Sequence, residues 1–243
     1  MLTDALLKVD RVSKSFGGFA ALSEVSVAVK EGERFGLIGP NGSGKTTLIN
    51  CVSGSLRNDG GSIAFSGEEI SRLPAYQRTR RGIARTFQVP RPFSSMAVLE
   101  NLVVPLEFVV HRHSLHKADT RAEAMAILET IGLADKAATP SNRLSQVELR
   151  KLELARAMAA RPRLLISDEA MAGLAGAEVD EVLAILFKLN EAGITIIMIE
   201  HIMQAVMRFS QRVICLDAGR IICEGTPADI VANLDVQRAY LGA

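Results

Sequence analysis

The chain has 243 residues, enough for one large α/β domain or a core with a subdomain, and its 48% hydrophobic and 23% charged residues exclude disordered and collagen-like classes. Its formal net charge of +1 offers no long-range attraction to nucleic acid or anionic lipid. No apolar run approaches the roughly 20 residues of a membrane span, and the N-terminal "MLTDALLKVDR" lacks the basic start and apolar centre of a secretory signal.

The first 35 residues read as short strands, with alternation in "VSVAV" (25–29) and a Gly-Gly turn at 17–18. "RFGLIG" (34–39) is an apolar strand that runs into a glycine loop and then a helix, "KTTLINCVSG", stopped by Gly54. "GSIAFSG" (61–67) alternates again. From about Ser71 to Ala160 helix formers dominate without a strong strand, and "RAEAMAILETIGL" (121–133) has helical spacing with Gly132 as its stop. "RLSQVELRKLELARAM" (143–158) opens with capping-box spacing at Ser145 and Glu148.

The β pattern then resumes in "RLLIS" (163–167), a helix from Gly176, "ITIIMIE" (194–200), a helix from Ile202, and the hairpin "RVICLD"/"RIICEG". Two short helices, around 227–233 and 235–241, close the chain. Apolar strands alternating with helices predict a parallel sheet covered on both faces. The expected division is a core with an N-terminal antiparallel β-subdomain (1–87 and 161–243) and an inserted helical subdomain (88–160). The three cysteines, Cys51, Cys215 and Cys223, form neither a disulfide framework nor a CxxC pair, which points to a reducing cytosol.

Two motifs carry chemistry. Gly39, Pro40, Asn41, Gly42, Ser43, Gly44, Lys45 and Thr46, followed by Thr47, match the phosphate-binding pattern G-x-x-x-x-G-K-[ST] in its required strand–loop–helix setting. Glycines let successive N–H groups turn around an anion, Lys45 brings a point charge to the outer phosphates, and the Thr46 hydroxyl suits Mg²⁺. "LLISDE" then leaves Asp168 and Glu169 at a strand tip, where Asp168 can hold the metal through water and Glu169 can accept a proton from an attacking water. His201, after the next apolar strand, is within reach of a γ-phosphate or that water, and the Gln88 amide can ligate magnesium or water. His111, His113 and His116 in "HRHSLH" have metal-compatible spacing but no accompanying Cys or carboxylate, and "RTRR" (78–81) reads as a solvated basic face.

In this order, Phe16, the glycine loop, Gln88, the 144–148 region followed by "ELARAM", "LLISDE" and His201 resemble the ATP-binding subunit of an ABC transporter over nearly the whole chain. The resemblance implies a P-loop ATPase core using ATP and Mg²⁺. Phe16 would stack on adenine, a contact of roughly 1–3 kcal/mol. It also implies two such subunits clamping two ATP molecules, each P-loop facing the partner's signature helix. "RRGIARTFQ", "SSMAVLENLVV", "RKLELARAM" and "VQRAYLGA" look like the branched-chain amino-acid importer ATPases, whose relatives serve urea and amides. Lipopolysaccharide-export ATPases are a neighbouring alternative, and a non-hydrolysing regulatory subunit is another. The implied partners are two transmembrane permease subunits, a second ATP-binding subunit in a heterodimer and, indirectly, a solute-binding protein, with no nucleic acid. The implied location is the cytoplasmic face of a prokaryotic membrane.

The signature departs from the family pattern. Ser145 is kept, but Gln146 and Val147 stand where small residues are usual, and a β-branched Val147 resists positive φ and holds a phosphate off the backbone. Ala170, Ala175 and Ile202 also depart from common family choices. Losing one charge-assisted hydrogen bond costs roughly 1.5–3 kcal/mol. The expectation is an asymmetric heterodimer in which this P-loop's site hydrolyses ATP and the site using this signature is weak.

Overall fold

The structure, a computed structural model, describes residues 5–111 and 119–241. Its N-terminal part is not a set of short strands. β1 (Ala5–Phe16) and β2 (Phe19–Lys30) are twelve residues each and form one long antiparallel hairpin across the Gly17–Gly18 turn. The sequence looked interrupted because register shifts between Val9 and Lys14 break the alternation while the pairing continues.

β3 (Arg34–Ile38) leads through the glycine loop into α1 (Lys45–Ser53), which stops at Gly54 in the left-handed conformation, φ 80°. β4 (Gly60–Phe65) and β5 (Glu68–Glu69) complete a four-stranded antiparallel sheet of order β2-β1-β4-β5. α2 (Ala75–Arg80) follows, and then β6 (Ile83–Arg85), a short strand inside the stretch expected to hold no strong one. Three residues, "IAR", are too few to show a period, so only pairing with a neighbour reveals this strand.

The helices α3 (Val98–Pro105), α4 (Thr120–Ile131) and α5 (Gln146–Met158) pack on one another. Pro105 ends α3's regular turns and a π-helical stretch, 106–110, continues from it. α4 starts on the Asp119 carboxylate, which accepts the Ala122 N–H, and ends at left-handed Gly132.

β7 (Leu164–Asp168), α6 (Gly176–Glu191), β8 (Thr195–Ile199), α7 (Met203–Phe209), β9 (Arg212–Asp217) and β10 (Arg220–Gly225) form the rest of the core, and α8 (Pro227–Ala232) and α9 (Leu234–Leu241) end it. The main sheet has order β10-β9-β3-β8-β7-β6; it is parallel from β9 to β6, with β10 antiparallel at the edge. Ala218 and Gly219, both at positive φ, make the tight β9–β10 turn. Cys215 and Cys223 are register partners across it and remain free thiols, with burial pushing Cys215 up to about 12.

Both faces of the main sheet are covered. Leu164 and Ile166 point into a cluster shared with α1 and the antiparallel sheet, whereas Leu165 points into a second cluster built with α3 to α7. That double burial explains why β7 and β8 read as continuous apolar runs. Among the described residues no helix is long and apolar enough to cross a membrane.

Candidate nucleotide-binding site

The register of three neighbouring strands assembles the site. Leu37 of β3 lies level with Ile199 of β8, and Ile199 lies level with Asp168 of β7. The glycine loop after β3, Glu169 after β7 and His201 after β8 therefore leave the sheet at one carboxyl edge, where open α/β sheets bind ligands. Phe16, Asn41, Gly42, Ser43, Gly44, Lys45, Thr46, Thr47, Glu169 and His201 line one cleft there, together with Phe19 and Ala21.

The loop needs its glycines. Gly39, Gly42 and Gly44 have φ of 148°, 80° and 106°. A Cβ on Gly39 would stand 2.1 Å from the Leu216 carbonyl oxygen, and one on Gly44 would stand 2.6 Å from that of Ala21. Gly44 is the N-cap of α1 and provides no side-chain cap, and no acidic residue occupies that helix's first turn. The N–H groups at this end are thus directed at the cleft without a protein anion against them.

Lys45 is buried and donates to the Gly39 and Pro40 carbonyls at 2.8 and 3.0 Å. Burial lowers its pKa, and the opposing charges of Glu169 and Asp168 work against that shift. The buried Ser43 hydroxyl has no hydrogen-bond partner, an orphan polar group inside the cradle. Such a loop fits a nucleotide's phosphates. Thr46 and Asp168 offer the hard oxygens that magnesium takes beside phosphate, and no cluster of three or more His, Cys, Asp or Glu that could hold a metal without phosphate occurs among the described residues.

Glu169 has φ 48°, an uncommon conformation for a non-glycine residue. Its N–H donates to the Ile199 carbonyl at 2.8 Å, and its Oε1 lies 2.8 Å from His201 Nε2. The backbone turn and the histidine together fix where the carboxylate points. Behind them Glu200 is buried; desolvation raises its pKa to about 7, while it accepts the Met171 N–H at 2.8 Å.

Asp168 stands at the strand tip directly before Glu169 without lining the cleft, and the remaining expected residues do not line it either. Asp168, buried, is paired through Oδ2 with Arg85 at 2.7 Å. Gln88 is exposed, does not line the cleft, and its carbonyl accepts from Arg150 at 2.6 Å. Ser145, Gln146 and Val147 stand at the start of α5, outside the cleft. Val147 belongs to the helix's first turn and packs partly buried against the helical core, so the expected conflict with a positive φ does not arise. The capping box does form: Ser145 Oγ accepts the Glu148 N–H at 3.3 Å, and Glu148 Oε2 accepts the Ser145 N–H at 2.8 Å. His111 Nε2 lies 3.0 Å from Glu123; His113 and His116 lie outside the described residues.

Three residues at the site escaped the sequence reading. Phe19 pairs with Phe16 across the hairpin tip and joins the cleft. Arg85 reaches Asp168 from the unrecognised strand β6. The Tyr240 hydroxyl, from α9, accepts the Gly39 N–H at 2.8 Å; although the residue is exposed, desolvation of the hydroxyl pushes Tyr240 up to about 12. "ARTFQ" held the only signal for Arg85, a cation three positions before Gln88.

A glycine cradle, a buried lysine and a strand-tip glutamate on this sheet order define a P-loop nucleotide-binding cassette. Comparison with known proteins makes that class specific. The family described as ABC transporter matches residues 22–172, and one described as Branched-chain amino acid ATP-binding cassette transporter matches residues 220–243. The chain is 39% identical to the high-affinity branched-chain amino acid transport ATP-binding protein BraF of Pseudomonas aeruginosa, over 98% of each chain. It is 37% identical to the corresponding LivG of Escherichia coli, over 99% of each. A crystal structure of a nucleotide-free ATP-binding cassette from an ABC transporter superposes with TM-score 0.88 at 30% identity, covering 98% of this chain and 100% of that one. An ADP-bound cassette gives 0.88 at 31%, covering 98% and 99%. The chain belongs to the ABC transporter family and is an ATPase of that family, coupling ATP hydrolysis to transport.

Proposed function

We propose that this chain is the ATP-hydrolysing subunit of an importer for branched-chain amino acids or related small solutes such as urea and amides. The convergence of glycine loop, Glu169 and His201 in one cleft carries the hydrolytic part of the reading. The C-terminal match and the names of the relatives support the solute class, and favour import over the lipopolysaccharide-export alternative.

In this mechanism the α1 N-terminus and Lys45 hold the β- and γ-phosphates, and Phe16 and Phe19 at the hairpin tip supply faces for the adenine. Thr46 and Asp168 would hold magnesium, which when bound neutralises charge developing on the phosphates. Glu169, aimed by its turn and by His201, takes the proton of the attacking water. Glu169→Gln keeps the shape and removes the base. Phosphate release at the site built on this P-loop should fall about 10²- to 10⁴-fold, leaving the purified subunit pair with only the weak second site's turnover and with nucleotide still bound. Turnover at the wild-type rate would overturn this assignment.

The partners are two permeases and a second ATP-binding subunit, at the cytoplasmic face of the membrane. A cleft between the core and the helices, lined by Arg85, Phe87, Arg91, Glu153 and Arg156 among others, supports a permease seat beside residues 88–160, taken as the helical subdomain. Gln88 flanks that seat in sequence, so its proposed contact with the metal requires a rearrangement of the loop after β6 when the nucleotide is in place. At α5 the ionised Glu148 already occupies the helix N-terminus, its pKa lowered first by the Ser145 N–H. That charge opposes a partner's γ-phosphate and supports the asymmetric pair, with the weak site at this signature.

A further inference from the structure

The two groups that would hold magnesium, Thr46 directly and Asp168 through water, come from separate elements, the first turn of α1 and the tip of β7. Something must fix their separation, because magnesium accepts little departure from octahedral geometry. One side chain touches both elements. Arg85 Nη2 donates to Asp168 Oδ2 at 2.7 Å, and its Nη1 donates to Asn50 Oδ1 at 2.6 Å and Ser53 Oγ at 3.3 Å. Asn50 stands one helical turn beyond Thr46 on α1. The guanidinium also lies over the Phe87 ring, 5.5 Å from its centroid, which holds the fork in its plane.

Strand β6 grips Asp168 a second time through the next residue. The Asp168 N–H donates to Thr86 Oγ1 at 3.0 Å. With Oδ2 engaged by Arg85, the carboxylate's orientation is set and Oδ1 is the oxygen left for a metal-bound water. The side chains of Arg85 and Asp168 are 10% and 9% exposed, so this charge-assisted pair is poorly screened by solvent.

We propose that Arg85 is a positioning residue for the magnesium site: it staples α1 to β7 and orients Asp168. This rests on the assignment of Thr46 and Asp168 to the metal. Groups that orient a metal's ligands typically contribute 10- to 100-fold to metal affinity.

The test compares Arg85→Met, Arg85→Lys and Asn50→Ala in the full chain. Mn²⁺ binding to the ADP complex is measured by electron paramagnetic resonance, and ADP binding in EDTA by calorimetry. Arg85→Met should weaken Mn²⁺ binding 10- to 100-fold while metal-free ADP affinity stays within about threefold. Arg85→Lys keeps the charge but not the fork, and Asn50→Ala keeps the pair with Asp168 but frees α1, so both should lose less. These two variants carry the test if Arg85→Met does not fold. Unchanged Mn²⁺ affinity in all three, or an equal fall in metal-free ADP affinity, overturns the positioning role. Wild-type protein whose ADP complex binds no Mn²⁺ overturns the magnesium assignment itself, and this role with it.

Discussion

Two helices in this molecule begin at places where a phosphate is expected, and they begin in opposite ways. α1 starts from a left-handed glycine, with no side-chain cap and no acidic residue in its first turn. α5 starts from Ser145 with a complete capping box, and the Glu148 carboxylate sits on its own N-terminus, 3.3 Å from Lys136. The first end is weaker for an isolated helix, because its orphan N–H groups have no partner within the protein and are left to solvent or an anion. The second is satisfied before any ligand comes. Good helix design and good phosphate binding pull against each other, and the chain has resolved that conflict differently at the two ends.

The sharpest way to separate the two regions is pH, because their carboxylates are shifted in opposite directions. Glu200, behind the α1 cleft, keeps its proton up to about pH 7 when folded, against an ordinary value of 4.5. The folded state therefore binds more protons than the unfolded chain between these values, and stability falls as the pH rises through that window. Glu148 is shifted downward, so its contribution is present above the ordinary carboxylate range and is lost as the pH falls. Glu200→Gln should remove the neutral-range loss and stabilise the protein at pH 9 relative to pH 5 by about 3 kcal/mol. Urea denaturation at the two pH values measures this directly. A wild-type stability that is flat from pH 5 to 9 would place the Glu200 proton elsewhere.

The open region was legible in the sequence because its chemistry is written in a contiguous motif. Glycine spacing, Lys45 and a strand before them suffice to read it, and Asp168 and Glu169 follow from an apolar run with an acidic end. What could not be read is whatever depends on partners distant in the chain. β6 is three residues long and exists only through its pairing with β7. Arg85 meets Asp168 across 83 positions, and Tyr240 meets Gly39 across 201. At α5 the capping box was legible from Ser145 and Glu148. The same two residues already put Val147 at N2, inside the first helical turn, where no positive φ is required. The long β1–β2 hairpin reads as short pieces for a related reason, its register shifts hiding the alternation.

Tyr240 offers a finer cut at the same comparison. Its hydroxyl is the one side-chain acceptor that the structure gives the glycine loop's first N–H, at 2.8 Å, so the open region is braced from the C-terminal segment even though α1 itself is uncapped. Tyr240→Phe leaves the ring and removes that acceptor. The loss of a neutral hydrogen bond, about 0.5–1.5 kcal/mol, corresponds to roughly 2- to 10-fold weaker ADP binding. Maximal turnover at saturating ATP should hold, because the hydroxyl touches the loop's base rather than the reacting atoms. Unaltered ADP affinity by calorimetry would reduce the contact to packing.

The smallest expected effect bears most directly on the α5 end. Glu148→Gln keeps an acceptor oxygen for the Ser145 N–H and removes only the charge, so the helix start is retained while its competition with an incoming phosphate is relieved. A charge at an exposed helix terminus is worth about 0.3–1 kcal/mol, which predicts a gain of roughly 2- to 5-fold at the site this signature serves. That gain is visible only if the other site is silent. The measurement is therefore steady-state phosphate release from the subunit pair in which this chain also carries Glu169→Gln. The gain should shrink as salt is raised, since the interaction is near the surface and screened. A fall in residual turnover would mean that the carboxylate assists at that site, and the contrast between the two helix ends would then describe folding alone.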